Sequence, residues 1–189
     1  MAFSPQPWTE ELPQLYDYLW ERLIQGVNDR HAPTRHPTLA TVSESGMPQA
    51  RTVVLRSADK QAATLAIYTD IHSDKINALH ANPVAALHVW DTHEKLQTRI
   101  EASATILTGE AVREQWQRLP EHARSAYSSG PAPGEPIADS LAYTKTPDET
   151  AFAVLLFEIQ AIEALHLGQH HRRAVFKRAD SWVGQWLVP

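Results

Sequence analysis

The sequence predicts a mainly β fold, an antiparallel barrel with peripheral helices. Two observations lead to this prediction. Six or seven segments with strand character are joined mostly by short turns. Helical segments are inserted between pairs of strands, whereas a parallel α/β sheet would alternate strand and helix strictly. With 189 residues and 43% hydrophobic content, the chain is long enough for one well-buried domain and short for two, so we expect a single domain over residues 1–189.

The first predicted element is an amphipathic helix within residues 1–31. Thr9 is a candidate N-cap, and leucine and tyrosine recur at three- and four-residue spacing up to the stretch GVNDRHAP. From His36 the pattern changes to strands. TLATVS and PQARTVVLRS form a predicted pair around the turn ESG, and TLAIYTD forms a third strand. Ser73 is a candidate N-cap for a short helix, DKINALHA.

The second half of the chain continues with strands and one insert. VAALHVWD is a predicted strand, and LQTRIEASATIL alternates apolar or small side chains with polar ones from Leu96 onward. A helical and loop insert spans residues 108–150 and contains the Pro/Gly-rich loop SSGPAPGEPIADS. The C-terminal third returns to strands: FAVLLFEIQAIEAL, RRAVFKR and SWVGQWLVP.

The composition excludes several classes of function. A formal charge of -5 and a pI near 6.0 argue against a protein that binds phosphate backbones over a broad basic surface. The absence of cysteine excludes disulfide scaffolds, thiolate zinc sites and cysteine nucleophiles. No signal-peptide or membrane-spanning pattern is present, so we expect a cytoplasmic protein that binds neither membranes nor nucleic acid. The P-loop, dinucleotide, GxSxG and HExxH motifs are also missing.

The stretch IYTDIHSDK contains a candidate anion site. Ser73, the amides of the following turn and Lys75 would converge at a helix N-terminus, where amide donors, the helix dipole and a cation together favour phosphate. The alternative is an ordinary helix cap with a solvated lysine. Asp74 favours that alternative because it places a carboxylate where the anion would lie. The nearby stretch RTVVLR, residues 51–56, decides nothing by itself, because arginines at the two ends of a strand are usually solvated.

Two further segments carry polar candidates. Gln97 lies on the polar face of a strand, and its amide can both donate to and accept from the edge of a heteroaromatic ring, although such residues often face solvent. HLGQHHRR, residues 166–173, crowds histidines and arginines. It is compatible with a metal site, with a cationic rim facing an acidic substrate, or with a plain surface turn. Because the HxxxH helix context is missing, we predict no metal site there.

Taken in order, these segments resemble the pyridoxamine 5'-phosphate oxidase family of FMN-binding split barrels. The resemblance runs from about His36 to Pro189 through RTVVLR, YTD, SDK, NPVAALHVW, LQTRIEASA and HRRAVFKRADSWVGQWLVP. Each motif is short, and their order and spacing make the match specific. The resemblance implies a split β-barrel, FMN as the cofactor, and a homodimer whose two interface sites are each built from both chains. The N-terminal helix and the insert look more like flavin-binding relatives than the oxidase itself.

Carried over residue by residue, the resemblance implies flavin-phosphate contacts at Arg51, Ser73 and Lys75. Asp74 stands where the oxidase usually has arginine. The stretch from Thr52 to Arg56 would run along the isoalloxazine edge. The implied cofactor-binding set is Arg51, Thr52, Val53, Val54, Leu55, Arg56, Tyr68, Thr69, Ser73, Asp74, Lys75 and Gln97.

The departures from the oxidase pattern concern the substrate. The lysine that binds the oxidase's substrate phosphate matches Arg56, but the tyrosine and arginine beside it fall on Gln115 and Leu119. Near the C-terminus, the flavin-contacting tryptophan and arginine fall on Leu165 and Val175. Losing several charge-assisted contacts, at roughly 1.5 to 3 kcal/mol each, would weaken pyridoxamine phosphate binding by orders of magnitude.

We therefore expect an FMN-dependent oxidoreductase that acts on another small substrate. Arg56, Arg172 and Arg173 are the candidate substrate contacts, and no residue is an evident general base. One alternative is a non-catalytic module that holds flavin or haem. Another is pyridoxamine 5'-phosphate oxidation itself.

Overall fold

The computed structural model describes Trp8 and residues 10–189. In this part of the chain, nine strands form one antiparallel sheet with the order β2-β1-β5-β6-β7-β4-β3, to which β8 adds along β7 and β9 along β8. The strands are β1 (Thr38–Val42), β2 (Pro48–Thr52), β3 (Leu55–Asp59), β4 (Thr64–Asp70), β5 (Val84–Asp91), β6 (Leu96–Thr108), β7 (Phe152–Leu167), β8 (His171–Lys177) and β9 (Gly184–Leu187). The helices are α1 (Leu12–Asn28), α2 (Asp74–Ala81), α3 (Arg113–Arg118) and α4 (Glu121–Arg124).

The long strand β7 joins the two halves of the barrel. Its first half pairs with β4, its second half pairs with β8, and β6 runs along almost its whole length. A row of apolar side chains paired in register crosses five strands from β1 to β8 on the inner face, and every member is at most 1% exposed. The row consists of Leu39, Leu87, Ile100, Ile162 and Phe176. Burying each such side chain contributes roughly 1.5 to 3 kcal/mol, so this row anchors the interior.

Nine strands replace the six or seven predicted, partly because PQARTVVLRS is two strands. Pairing with β1 ends at Val53, the residue after β2, whose amide donates to the carbonyl of Pro37 at 3.0 Å. The residues from Leu55 onward form β3 and pair with β4 instead. Alternating burial continues across this break, which is why the sequence pattern resembled one strand. A bulge follows, since Leu55 pairs with Ile67 and Ser57 with Ala66. Arg56 is the extra residue of that bulge.

The insert packs on the outer face of β4 and the first half of β7. Its helical part contributes Val112, Trp116, Leu119 and Tyr127 to a second apolar cluster, separate from the barrel interior, with strand residues that include Phe152. The remaining loop, residues 128–150, is mostly exposed, and a single bridge pairs Gly130 with Thr144.

The helix starts differ in detail from the predictions. α1 begins at Leu12 with Pro13 in its first turn and has no side-chain cap at Glu11, and the predicted cap Thr9 lies outside the described residues. Ser73 is the N-cap residue of α2, as predicted, but its side chain makes no cap hydrogen bond. Within Trp8 and residues 10–189, no helix combines the length and apolarity that crossing a bilayer requires.

Candidate functional site

Arg51, Thr69, Ser73 and Lys75 come together where β2, β4 and α2 meet; we name these four residues the α2 cluster. Lys75 Nζ donates to Thr69 Oγ1 at 2.9 Å, and Thr69 Oγ1 lies 3.1 Å from Ser73 Oγ. Ser73 Oγ also donates to the carbonyl of Asp70 at 2.7 Å. The two hydroxyls are buried and the two cations are half-buried.

Both cations of the α2 cluster lack a carboxylate partner. Arg51 Nη1 donates to Thr41 Oγ1 at 2.7 Å and Arg51 Nη2 to Gln49 Oε1 at 3.0 Å, and both acceptors are neutral. The ion pairs formed among the described residues include neither Arg51 nor Lys75. An unpaired, partly desolvated cation is unfavourable unless an anion joins it, so this cluster is suited to an anionic ligand.

The pKa values reflect this arrangement. Burial lowers the pKa of Lys75, and the charge of Arg51 lowers it further, while Asp70 and Asp74 act in the opposite direction. Burial also lowers the pKa of Arg51, and Asp74 raises it. The two cations are therefore close enough to repel each other.

The N-terminus of α2 adds donors to the cluster. Because the Ser73 hydroxyl is turned toward Thr69 and Asp70, no side chain caps the amides of the first turn. Uncapped first-turn amides and the positive end of the helix dipole attract anions. Two cations, two hydroxyls and a helix N-terminus form a donor set whose chemistry fits a phosphate group.

The Pro/Gly-rich loop passes over Asp74. Asp74 is exposed in the first turn of α2, and a Cβ added at Gly134 would lie 3.4 Å from Asp74 Oδ2. Gly134 has a φ of +94°, a conformation that favours glycine. The end of the loop is also fixed here, since the amide of Ile71 donates to the carbonyl of Ala151 at 2.8 Å.

Arg56 forms a second group on the opposite face of the sheet. The bulge directs it toward the insert, where Nη2 donates to Tyr127 Oη at 3.3 Å. Its guanidinium carbon lies 5.8 Å from the centre of the Tyr68 ring. The sequence offered no signal for Tyr127, which is 71 residues away from Arg56 along the chain.

The structure separates other predicted residues from the α2 cluster. Gln97 lies on β6, which β1 and β5 separate from β2, and its side chain is on the outer face whereas that of Arg51 is on the inner face. Arg172 donates to Glu10 Oε1 at 2.6 Å, and Arg173 donates to both oxygens of Glu163 at 3.2 Å. One protomer therefore does not bring these three residues to the α2 cluster.

The stretch HLGQHHRR covers the end of β7, the turn at residues 168–170 and the start of β8. His170 and His171 are exposed, which agrees with the surface-turn alternative. Throughout Trp8 and residues 10–189, no group of three or more histidine, cysteine, aspartate or glutamate side chains is arranged to hold a metal.

The sequence matches a known family model and named relatives. The model described as "Pyridoxamine 5'-phosphate oxidase, FMN-binding domain" matches residues 17–108. A pyridoxine/pyridoxamine 5'-phosphate oxidase of Salinibacter ruber is 36% identical over 170 residues, which are 80% of this chain and 76% of that protein. The oxidase of Thermosynechococcus vestitus is 29% identical over 172 residues, 90% of this chain and 70% of that protein. The matches to the Microcystis aeruginosa and Mannheimia succiniciproducens oxidases span only 33% and 52% of those proteins.

Two solved structures share the fold over the whole chain. One is a pyridoxamine 5'-phosphate oxidase-related, FMN-binding protein from Nostoc punctiforme, with a TM-score of 0.75, 24% identity and coverage of 99% of this chain and 100% of that one. The other is PhzG from Burkholderia lata, in complex with tetrahydrophenazine-1-carboxylic acid, with a TM-score of 0.72, 20% identity and coverage of 100% and 98%. These likenesses confirm the predicted split barrel, and the family model confirms the predicted cofactor. The chain therefore belongs to the pyridoxamine 5'-phosphate oxidase-related family of FMN-binding split-barrel proteins, and its cofactor is FMN.

Proposed function

We propose that this protein is an FMN-dependent oxidoreductase for a small substrate, and that the α2 cluster holds the flavin phosphate. The observation that carries the proposal is the pair of half-buried cations, Arg51 and Lys75, which meet hydroxyls and neutral oxygens but no carboxylate among the described residues. A phosphate monoester carries a charge of about -1.5 to -2 and needs such local cations even on an acidic protein. FMN supplies the hydride-transfer chemistry, and the protein supplies orientation and electrostatics.

The ring of the flavin would lie along the connection from β2 to β3. Val53 and Leu55 are buried in the barrel interior, so in this proposal they offer only backbone groups to the ring. Thr52 is exposed, and Val54 and Arg56 are half-buried, so these three can offer side chains. Tyr68 and Thr69 lie on opposite faces of β4, so in this proposal Thr69 would lie at the phosphate end and Tyr68 on the side of Arg56.

We also propose a homodimer in which a second copy completes each flavin site. Thr52 and Gln97 lie on one outer face of the sheet, and a short row of small residues paired in register crosses β2, β1 and β5 on the same face before it meets Glu101 on β6. That row contains Ala50, Ala40 and Ala86. Small side chains allow two sheets to approach closely, and a partner copy packed there could place its Gln97 opposite the first copy's Thr52. Cytoplasmic localisation stays a prediction of the sequence.

Two alternatives differ in their support. Pyridoxamine 5'-phosphate oxidation is disfavoured because Leu119, at the position of a phosphate-binding arginine, is buried in the apolar cluster beneath the insert. A non-catalytic flavin- or haem-binding module needs the same cofactor contacts but no substrate contact. Arg56, a cation without a carboxylate partner in the described part of the chain, favours an enzyme over that module.

The visible spectrum of the purified protein tests the proposal. We expect a yellow protein with a flavin spectrum and about one FMN for each chain after reconstitution. The protein is photoreduced under anaerobic conditions and then mixed with either oxygen or a quinone. We expect its flavin to be reoxidised faster than free reduced FMN. A colourless protein that takes up no FMN would refute the proposal. A flavoprotein that no acceptor reoxidises and no donor reduces would support the binding module instead.

A further inference from the structure

Two neutral side chains of the first hairpin hold the guanidinium group of Arg51. Thr41 and Gln49 lie directly opposite each other in the pairing of β1 with β2, and Arg51 follows Gln49 by two residues on the same face. Arg51 Nη1 donates to Thr41 Oγ1 at 2.7 Å, and Nη2 donates to Gln49 Oε1 at 3.0 Å. The strand register therefore builds this arrangement, because a long side chain reaches its diagonal neighbour on the paired strand.

The two contacts leave donors of Arg51 free. Nη1 also contacts the carbonyl oxygens of Leu39 and Gln49, at 3.4 Å and 3.5 Å. Guanidinium has five N–H donors in a planar fork. Nε and one N–H of Nη2 have no partner in the described part of the chain. Two donors therefore remain for an oxyanion, which guanidinium commonly binds through two N–H groups.

Both anchoring side chains are uncharged. The ion pairs formed among the described residues do not include Arg51, so the anchors fix the guanidinium group and leave its charge uncompensated. A carboxylate at either position would hold the group as well, but it would compete with a phosphate for the charge.

The hydroxyl of Thr41 is not explained by packing. Thr41 is only 3% exposed, and valine, which has nearly the same shape, would fill the same space. Burying a hydroxyl costs free energy unless it is hydrogen-bonded. Its one hydrogen bond to a described residue is the one that it accepts from Arg51.

We propose that Thr41 and Gln49 are positioning residues that orient Arg51 toward the flavin phosphate. The inference rests on the proposed function and deepens it, because it extends the phosphate site from the α2 cluster to β1. No residue of β1 is among the cofactor contacts that the family resemblance implies. Both residues act only through a phosphate bound to Arg51, so they favour FMN over riboflavin, which has the same ring and no phosphate.

Fluorescence titration of the whole chain with FMN and with riboflavin tests these roles. Thr41→Val should weaken FMN binding about three- to tenfold. Gln49→Glu, which places a carboxylate against Arg51, should weaken FMN binding at least about tenfold at low salt. The riboflavin affinity of both variants should equal that of the wild-type protein, because riboflavin has no phosphate for Arg51 to bind.

Thr98→Val is the matched control. Thr98 is also a buried threonine, 5% exposed, but it lies on β6, which β1 and β5 separate from β2. It should leave both affinities unchanged. In an Arg51→Met background, Thr41→Val should weaken FMN binding no further, because its effect passes through the guanidinium group. That comparison separates a positioning role from a structural one without riboflavin.

Wild-type FMN affinity in Thr41→Val or in Gln49→Glu would overturn the role of that residue. Equal losses for FMN and riboflavin, or a further loss in the Arg51→Met background, would show a structural role and overturn the inference. Unchanged FMN affinity in Arg51→Met would overturn it as well, by placing the phosphate elsewhere. A wild-type protein that takes up no FMN would sink the proposed function itself, and the inference with it.

Discussion

Lys75 Nζ donates a 2.9 Å hydrogen bond to the Thr69 hydroxyl, and this is its one hydrogen bond to a described residue. The same hydroxyl lies 3.1 Å from Ser73 Oγ, so it stays paired even without the lysine. The Lys75 ammonium is therefore not needed to satisfy Thr69, and burial lowers the pKa of Lys75. A half-buried lysine without a carboxylate partner, next to a second such cation, points to an anionic ligand.

Lys75→Met should change stability and FMN affinity in opposite directions. Losing a charge-assisted contact to phosphate, about 1.5–3 kcal/mol, should weaken FMN binding about 10- to 150-fold. Removing a partly desolvated cation should raise the apo free energy of unfolding by about 0.5–1 kcal/mol. Flavin fluorescence titration and urea denaturation measure the two effects.

Lys60→Met is the control, since Lys60 is exposed and paired with Asp17 at 2.6 Å, and it should leave FMN affinity unchanged. Unchanged FMN affinity in Lys75→Met, and also in the Arg51/Lys75 double variant, would place the phosphate elsewhere.

Asp74→Asn should tighten FMN binding. The exposed carboxylate begins α2 beside the two cations and would repel a phosphate held there, at a cost of about 0.5–1 kcal/mol in water-like surroundings. We expect about two- to fivefold tighter binding at low salt and a smaller gain at high salt, because added ions screen the repulsion. Apo stability should fall by a few tenths of a kcal/mol, since a negative charge at a helix N-terminus is favourable. Glu44→Gln, an exposed change in the turn between β1 and β2, controls for net charge. Weaker FMN binding in Asp74→Asn would contradict this account.

The strands were predictable wherever side-chain alternation and turn residues coincide. β5, β6 and β8 match the predicted segments closely. The break between β2 and β3 was not predictable, because alternation reports which face a side chain occupies and not which strand it pairs with. Val53 stays buried while the backbone partner changes from β1 to β4.

The contacts of the candidate site also differ in how far the sequence could predict them. A strand followed by a helix was enough to predict that Ser73 and Lys75 converge, whereas Thr69, whose hydroxyl accepts from Lys75 Nζ, entered only through the family resemblance. Arg56 and Tyr127 are 71 residues apart, and only the packing of the insert on β4 joins them. The family resemblance assigns Gln97 and Arg51 to the same flavin site, but the sheet places their side chains on opposite faces. The pattern of residues along the chain could not predict this separation.

Glu163→Gln should destabilise the protein through the outer face. Glu163 is 9% exposed and accepts from Arg99 at 2.9 Å and from Arg173 at 3.2 Å, so neutralising it leaves two arginines facing each other. Breaking a fully buried pair costs more, but these arginines are partly solvated, so we expect a loss of about 1–2 kcal/mol. Urea denaturation measures it. Glu101→Gln is the control, because Glu101 is exposed and 3.8 Å from Arg99, and it should change stability by less than about 0.5 kcal/mol. Equal losses in the two variants would show that Glu163 does not hold the arginines together.

His166 should make the protein less stable in mild acid. Its Nδ1 is buried without a partner among the described residues, and Trp8 packs edge-on at 5.3 Å. Burial, followed by the charge of Arg172, lowers the pKa of His166 below its usual 6.5. Between the lowered folded value and 6.5, the unfolded chain binds more protons than the folded one, so stability falls as the pH drops through that window.

Urea denaturation between about pH 7.5 and about pH 5.5 measures this effect, and His166→Gln should flatten the pH dependence because its amide does not titrate. His170→Gln is the matched control, because His170 is an exposed histidine a few residues away along the chain. It should leave the slope unchanged. If His166→Gln keeps the slope of the wild-type protein, the acid sensitivity arises from another group, and the neutral state of His166 does not contribute to folding.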